Sequence, residues 1–218
     1  MKRLKANIIA VNVGKPQLLE NFGQTITSAI NKETVEGDVF LSRYNLDGDE
    51  QADKKHHGGE DKAICVYPFD HYPFWEEELG IKLTPGAFGE NLTVKGLVEN
   101  AVCLGDVFKW GEAVVQVSQP RMPCHKVAKR FGIAELPQRI IETGFTGFYM
   151  RVLKEGMVSS TEPLQFIKRF SEIPISFVNS VFYQDQYNEK AVMEILEVEE
   201  LAFSWRKMLE KQRKKALK

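Results

Sequence analysis

Up to about residue 168 this chain is a succession of short β-branched or alternating runs separated by glycine and proline turns. That pattern restricts the fold more than anything else in it. Residues 6–13 read as a first strand, stopped by Gly14-Lys15-Pro16. Residues 26–35 contribute a weak second strand, and Val39-Phe40-Leu41 begins another. Residues 62–67 and 114–118 carry the clearest strand composition of small, β-branched and aromatic residues. Residues 91–94, 107–110, 147–153 and 164–167 complete the set, with Gly96, Gly105 and Gly111 as punctuation. Helical patterns here are few. Residues 69–79 form one, with Phe74, Trp75 and Leu79 facing inward and Gly80 as the stop. A second follows Cys124, and a third lies near residues 137–142. Strict βαβ alternation is absent, which disfavours a doubly wound sheet. The expected fold class is mainly β with helices, a β-barrel whose connections hold the helices.

The periodicity changes after about Arg169. Ile175, Val178 and Phe182 follow i, i+3, i+7. Val192, Ile195 and Leu196 follow i, i+3, i+4, and Leu201, Trp205, Met208 and Leu209 follow i, i+4, i+7, i+8. These are three short amphipathic helices. Pro174 suits an early helical position and Asn188 an N-cap. The expected organisation is a barrel domain over residues 1–168 and a three-helix extension over 169–218. The last helix ends in Lys211, Arg213, Lys214, Lys215 and Lys218, which complements its dipole and marks a solvated terminus. A helix-turn-helix DNA reader is disfavoured, because the third helix carries its basic residues only at the far end.

A length of 218 residues is ample for a real core, and 43% apolar with 27% charged residues is ordinary for a globular protein. The net charge of −1 argues against a globally basic nucleic-acid binder. No stretch approaches the ~20 apolar residues that span a bilayer. Asn7 and Asn12 interrupt the stretch after the basic start Met1-Lys2-Arg3-Leu4-Lys5, so no secretory leader is read there. Cys65, Cys103 and Cys124 are odd in number and widely spaced, without a C-x-x-C pair, which suits a reducing compartment. A cytoplasmic protein, bound to neither nucleic acid nor membrane, is expected.

The most informative short segment is Gln119-Pro120-Arg121-Met122-Pro123-Cys124-His125-Lys126-Val127. It turns from strand into helix, with Pro123 suited to the first turn and Gly132 to the C-terminal stop. Cys124 is expected in that first turn, where free N–H groups and the helix dipole favour a thiolate. Arg121, Lys126 and Lys129 add positive charge nearby. A thiolate is both a nucleophile and a soft-metal ligand. A buried, inert cysteine is the plain alternative.

Two more clusters stand out. His56-His57-Gly58-Gly59-Glu60-Asp61-Lys62 can form a nest of backbone N–H groups around an anion, or can be an ordinary polar loop. In Gly86-Ala87-Phe88-Gly89-Glu90-Asn91-Leu92, Glu90 and Asn91 either orient a polar ligand or fix a turn. A G-x-S-x-G elbow, a Walker A loop and a G-x-G-x-x-G after a strand are all missing.

Taken in order, His57-Gly58-Gly59, Gly89-Glu90-Asn91-Leu92, Gly105-Asp106, Gln119-Pro120-Arg121-Met122-Pro123-Cys124 and Gly147-Phe148-Tyr149-Met150-Arg151-Val152 resemble the MOSC family, named for the C-terminal domain of molybdenum cofactor sulfurases. The resemblance covers about residues 1–168. The remainder is similar to the three-helix extension of the bacterial subgroup related to 6-N-hydroxylaminopurine resistance proteins. One departure is Thr161-Glu162, where a second Gly-Asp often closes the family barrel.

The resemblance implies a barrel that binds molybdenum cofactor (molybdopterin), with Cys124 as the catalytic residue and metal ligand. Arg121, His57, Gly58 and Gly59, with Lys62 and Asn91 behind them, would bind the cofactor. It implies a molybdenum-dependent oxidoreductase that reduces N-hydroxylated compounds, such as N-hydroxylated purine bases, with electrons from a separate flavoprotein. No pyridoxal phosphate is expected. The competing reading is a sulfur carrier or cofactor-binding module that holds a persulfide on Cys124 without substrate turnover.

Overall fold

The computed structural model describes residues 5–53 and 58–216. Among them β1 (Lys5–Val13), β6 (Ile64–Pro68), β7 (Leu92–Lys95), β8 (Val107–Trp110), β9 (Ala113–Pro120), β10 (Phe148–Lys154) and β12 (Leu164–Lys168) form one sheet. Their order is β12-β8-β9-β10-β6-β7-β1, and β1 pairs back onto β12 through Ala6 and Leu164. The sheet is therefore a closed seven-stranded barrel, which leaves none of these strands as a free edge. β6 and β7 are parallel and the other barrel neighbours antiparallel. A parallel pair needs a crossover, and here it holds a 3-10 turn (Phe69–His71) and helix α1 (Tyr72–Leu79). β4 (Glu33–Thr34) extends β1, while β5 (Val39–Leu41) pairs with β11 (Gly156–Val158) as a separate ribbon.

Strand alternation places the site. On β6 every residue is buried, but not on one side. Ile64 and Val66 join the main apolar cluster, whereas Tyr67 joins a second cluster with Tyr72, Trp75, Phe88, Val127 and Ile140. Cys65 shares the face of Tyr67, because successive side chains point to opposite faces. β10 behaves likewise: Phe148, Met150 and Val152 enter the main cluster, and Tyr149 faces the other way with Cys65.

The chain departs from the sequence expectation in several places. The weak strand expected at 26–35 is split between β4 and the end of β3 (Gln24–Ser28), which forms a hairpin with β2 (Gln17–Asn21). The hairpin turn, Phe22-Gly23, has positive φ at both positions, the conformation that two-residue hairpins require. Phenylalanine is a rare choice there, so composition does not announce the turn. In α1 the inward face is Tyr72, Trp75 and Leu79, spaced i, i+3, i+7; Phe74 is out of phase and 38% exposed.

The helices after Cys124 are α2 (His125–Phe131) and α3 (Leu136–Thr143). The C-terminal ones are α4 (Ile175–Tyr183), α5 (Glu189–Leu196) and α6 (Phe203–Ala216). Pro174 stands one position outside α4, as its N-cap, and Leu201 precedes α6. Asn188 caps α5, its Oδ1 accepting from Ala191 N at 3.0 Å. Val178, Val192, Trp205 and Leu209 belong to the same apolar cluster as the barrel residues Val115 and Phe148. Each such fully buried side chain stabilises the fold by about 1.5–3 kcal/mol. Arg169, at the start of this segment, binds the buried Asp106 carboxylate at 2.8 and 2.9 Å. Gly105 beside it has φ +79, and a Cβ there would lie 2.9 Å from Phe170 Cβ, so the glycine lets the C-terminal segment close on the barrel.

Among the described residues no helix is long and apolar enough to cross a membrane.

Candidate functional site

β9 carries the chain to Pro120, where it leaves the sheet. Arg121 N donates to Gly147 O at 3.1 Å, which anchors the departing segment to the start of β10. Cys124 then stands at the N-cap of α2 with extended backbone (φ −119, ψ 150), one position before the expected first turn. Its Sγ accepts the Lys126 N–H at 3.3 Å. Pro123 accordingly lies outside the helix, and Gly132 ends it in the left-handed conformation, as expected.

Cys124 opens onto a cleft with about 650 Å³ of free space, part of it open to solvent. Arg121, Lys62 and Asn91 line the same cleft, so four of the residues selected from sequence converge. Gly58 and Gly59 are not among its lining; Gly59 precedes the 3-10 turn Glu60–Lys62, and its carbonyl accepts Lys62 N at 3.0 Å. His57 lies outside the described residues. Lys129 is buried in α2 and does not reach the cleft.

Arg121 is half-buried and donates through Nη2 to Phe88 O at 2.5 Å. Burial works against its charge, but Cys65, Tyr149, Glu90 and Tyr67 around it outweigh that and hold its pKa above the ordinary value. Lys62 goes the other way: burial lowers its pKa, offset in part by Asp61 and Asp53.

Sequence reasoning missed much of the wall. Lys32 and Asp49 form a buried ion pair on one side. Asp49 also accepts from Gly14 N at 2.8 Å and from Asn91 Nδ2 at 2.9 Å. Asn91 spends its second amide hydrogen on Asn12 O at 3.2 Å, and its Oδ1 accepts Cys65 N at 3.1 Å. The Asn91 side chain therefore shapes the cleft wall by tying three segments together. Cys65 and Tyr149 also line the cleft, opposite one another in the β6–β10 register. Burial pushes both the Cys65 thiol and the Tyr149 phenol above their ordinary values.

Behind the cleft, Glu90 is fully buried and accepts from Tyr72 Oη (2.5 Å), Thr93 Oγ1 (2.8 Å), Gly86 N (2.9 Å) and Phe88 N (3.0 Å). Of its two sequence readings, fixing the turn is the one realised. It sets the Phe88 carbonyl that Arg121 holds. Gly89 has φ +78, and a Cβ there would come within 2.8 Å of Ile30 Cγ1, so only glycine admits this approach. Arg130, unremarked in sequence, bonds Ile30 O at 2.6 Å and Gly86 O at 2.7 Å, pinning the two segments together.

The arrangement offers an accessible thiol, four cationic side chains (Lys32, the partner of Asp49, with Lys62, Arg121 and Lys126) and an acidic edge of Glu50 and Asp53. Among the described residues no three His, Cys, Asp or Glu side chains converge as a metal site. Fold and site together define a closed β-barrel protein with a thiol-and-cation cleft on its flank.

The chain belongs to the MOSC domain family, which it matches over residues 53–165, and residues 173–216 match the YiiM-like, 3-alpha helix domain. It is 49% identical over 218 residues to "Uncharacterized protein YflK" of Bacillus subtilis (strain 168), covering 100% of this chain and 99% of that protein. The crystal structure of YiiM from Geobacillus stearothermophilus superposes with a TM-score of 0.82 at 39% identity, over 95% of this chain and 99% of that one. A protein named "Reductase" from Gibberella moniliformis (strain M3125 / FGSC 7600) is 40% identical over 151 residues, 67% of this chain and 27% of that protein.

Proposed function

We propose that the chain binds molybdenum cofactor in the Cys124 cleft and reduces N-hydroxylated compounds, N-hydroxylated purine bases foremost, with electrons from a separate flavoprotein. The observation that carries this reading is the Cys124 sulfur, facing a cleft that also holds Arg121, Lys32, Lys62 and Lys126. The residues fit such a group. A thiolate is a soft ligand suited to molybdenum. Cationic side chains suit a pterin phosphate, and the carboxylates of Glu50 and Asp53 suit the N–H edge of a pterin.

Bound there, the cofactor would supply a two-electron centre able to accept the oxygen of an N–O bond. The chain's own part is to hold and to shield. Cys124 would hold the metal. Arg121, fixed by Phe88 O and Gly147 O, presents a permanent charge to an anionic group. Lys62 and Lys126 add positive charge, and Phe88, Met122 and Val127 give apolar wall. Membership of the MOSC family and the likeness to a protein named Reductase support a cofactor-dependent redox role.

The test is elemental analysis of protein expressed with molybdate in a cofactor-competent host, followed by reduction assays on N-hydroxylated purines with a reduced viologen as donor. About one molybdenum per chain, with turnover, supports the proposal. A chain without molybdenum that carries the mass of one additional sulfur on the Cys124 peptide would replace it with the persulfide carrier.

A further inference from the structure

We infer that Asp61 is a positioning residue through which the C-terminal three-helix unit sets the geometry of the Cys124 cleft; the inference rests on that cleft being the ligand site. No residue of α4, α5 or α6 lines the cleft. Yet the N-terminus of α6 is bonded to the segments that carry Lys62 and Arg121. Phe203 N donates to Asp61 Oδ2 at 3.3 Å, Ala202 N to Ser118 O at 2.9 Å, and Ser204 Oγ to Gln119 Oε1 at 3.1 Å. Asp61 immediately precedes Lys62, and Ser118 and Gln119 lie three and two residues before Arg121.

Asp61 is where these contacts meet. Its Oδ1 takes Arg151 Nε at 2.8 Å and Nη2 at 2.7 Å, and its backbone carbonyl accepts Ser118 Oγ at 2.6 Å. Arg151 in turn reaches Gln116 Oε1 at 3.1 Å. A carboxylate at a helix N-terminus is favoured by the free N–H groups and the dipole there. In the short turn Glu60–Lys62 no residue is fully buried, and Asp61 and Lys62 are half-buried. These hydrogen bonds hold it, and with it the Lys62 backbone, against β9 and α6. Contacts of this kind, behind the residues that touch a ligand, commonly decide how well the ligand is held.

Phe203→Pro isolates the effect. Proline is tolerated at the first helical position, so it removes the N–H that Asp61 accepts without breaking α6. Phe203 is 64% exposed, so little packing is lost, and Phe203→Ala, which keeps the N–H, is the control. Asp61→Asn is the second variant. Backbone hydrogen exchange over residues 58–62 and molybdenum per chain are read together, beside the thermal midpoint. Faster exchange at 58–62 and a roughly tenfold loss of molybdenum retention in Phe203→Pro and Asp61→Asn, with Phe203→Ala and all midpoints near wild type, is the expected result. Wild-type exchange and retention in Phe203→Pro and Asp61→Asn would overturn the inference, as would equal losses in Phe203→Ala. If the wild-type chain holds no molybdenum, the cofactor proposal fails, and the exchange data alone decide whether Asp61 braces the turn.

Discussion

Cys124 Sγ accepts the Lys126 backbone N–H at 3.3 Å, so the sulfur that faces the cleft also caps the helix behind it. The cap holds the sulfur in place, because the extended backbone of Cys124 and the first turn of α2 define one side-chain direction. It also separates two effects that cysteine variants usually confuse, loss of a ligand and loss of fold.

Cys124→Ser should fold as well as the wild type, because serine is a strong N-cap and preserves the bond to Lys126 N. Molybdenum should be lost, since a hydroxyl is a poor substitute for a soft thiolate. Metal analysis beside a thermal melt checks both. Full metal with full activity in this variant would remove Cys124 from the site.

Arg121→Lys keeps the charge but cannot reproduce a planar fork that grips Phe88 O while facing the cleft. Molybdenum retention should fall roughly tenfold, the size typical of losing a supporting contact at a metal site. Arg121→Met should fall further. Equal retention in wild type and Arg121→Lys would show that charge alone suffices.

Glu90→Ala strips the acceptor from four donors around one buried turn. Leaving buried donors without their acceptor costs about 1–3 kcal/mol for each group that finds no new partner. Urea unfolding should show a midpoint shift of that size, and Glu90→Gln a smaller one, because one amide oxygen still accepts. A surface-like loss below about 0.5 kcal/mol would mean that the turn is held by other contacts.

Alkali should destabilise the fold ahead of any general effect of charge. Burial pushes the Cys103 thiol from 9.0 to about 11 and the Tyr183 phenol from 10.0 to about 12. The Cys65 thiol is raised for the same reason. In each case the folded chain keeps a proton that the unfolded chain has released, so ΔG of unfolding falls as pH rises. For Cys103 this contribution is complete below about pH 9 and is lost as pH climbs through about 11. Lys62, with its pKa lowered by burial, acts in the opposite sense, since its folded form sheds the proton first. Urea midpoints at pH 8 and pH 10.5 should differ, and Cys103→Ala should narrow the difference. Identical pH slopes with and without Cys103 would show that this thiol is not the titrating group.

Much of the fold is readable in the residues themselves. The glycine-punctuated short strands announce a barrel, and it closes through Ala6 and Leu164. The three helical periodicities after Arg169 appear as α4, α5 and α6, with Asn188 capping α5. Gly80 and Gly132 stop their helices where the sequence places the stops. These are local effects, carried by φ preference, capping and the side on which apolar residues recur. The departures are local as well: Phe74 lies out of phase with the inward face of α1, and the Phe22-Gly23 turn has phenylalanine at a positive-φ position.

The site is legible only in part. The thiol segment of Arg121 and Cys124 stands out because it combines a nucleophile, cations and a strand-to-helix turn within a few residues. Lys32, Asp49, Cys65 and Tyr149 carry no such local mark. They meet Cys124 only because strand register sets Tyr149 opposite Cys65, and because Asn91 and Arg130 tie segments far apart in the chain. Sequence by itself determined which segments form strands and helices and which thiol merited attention, since backbone preference and apolar periodicity act over a few residues. Tertiary structure alone decided which charges share the cleft and that α6 stands behind Lys62. Those pairings depend on the closure of the barrel, which no short stretch of residues encodes.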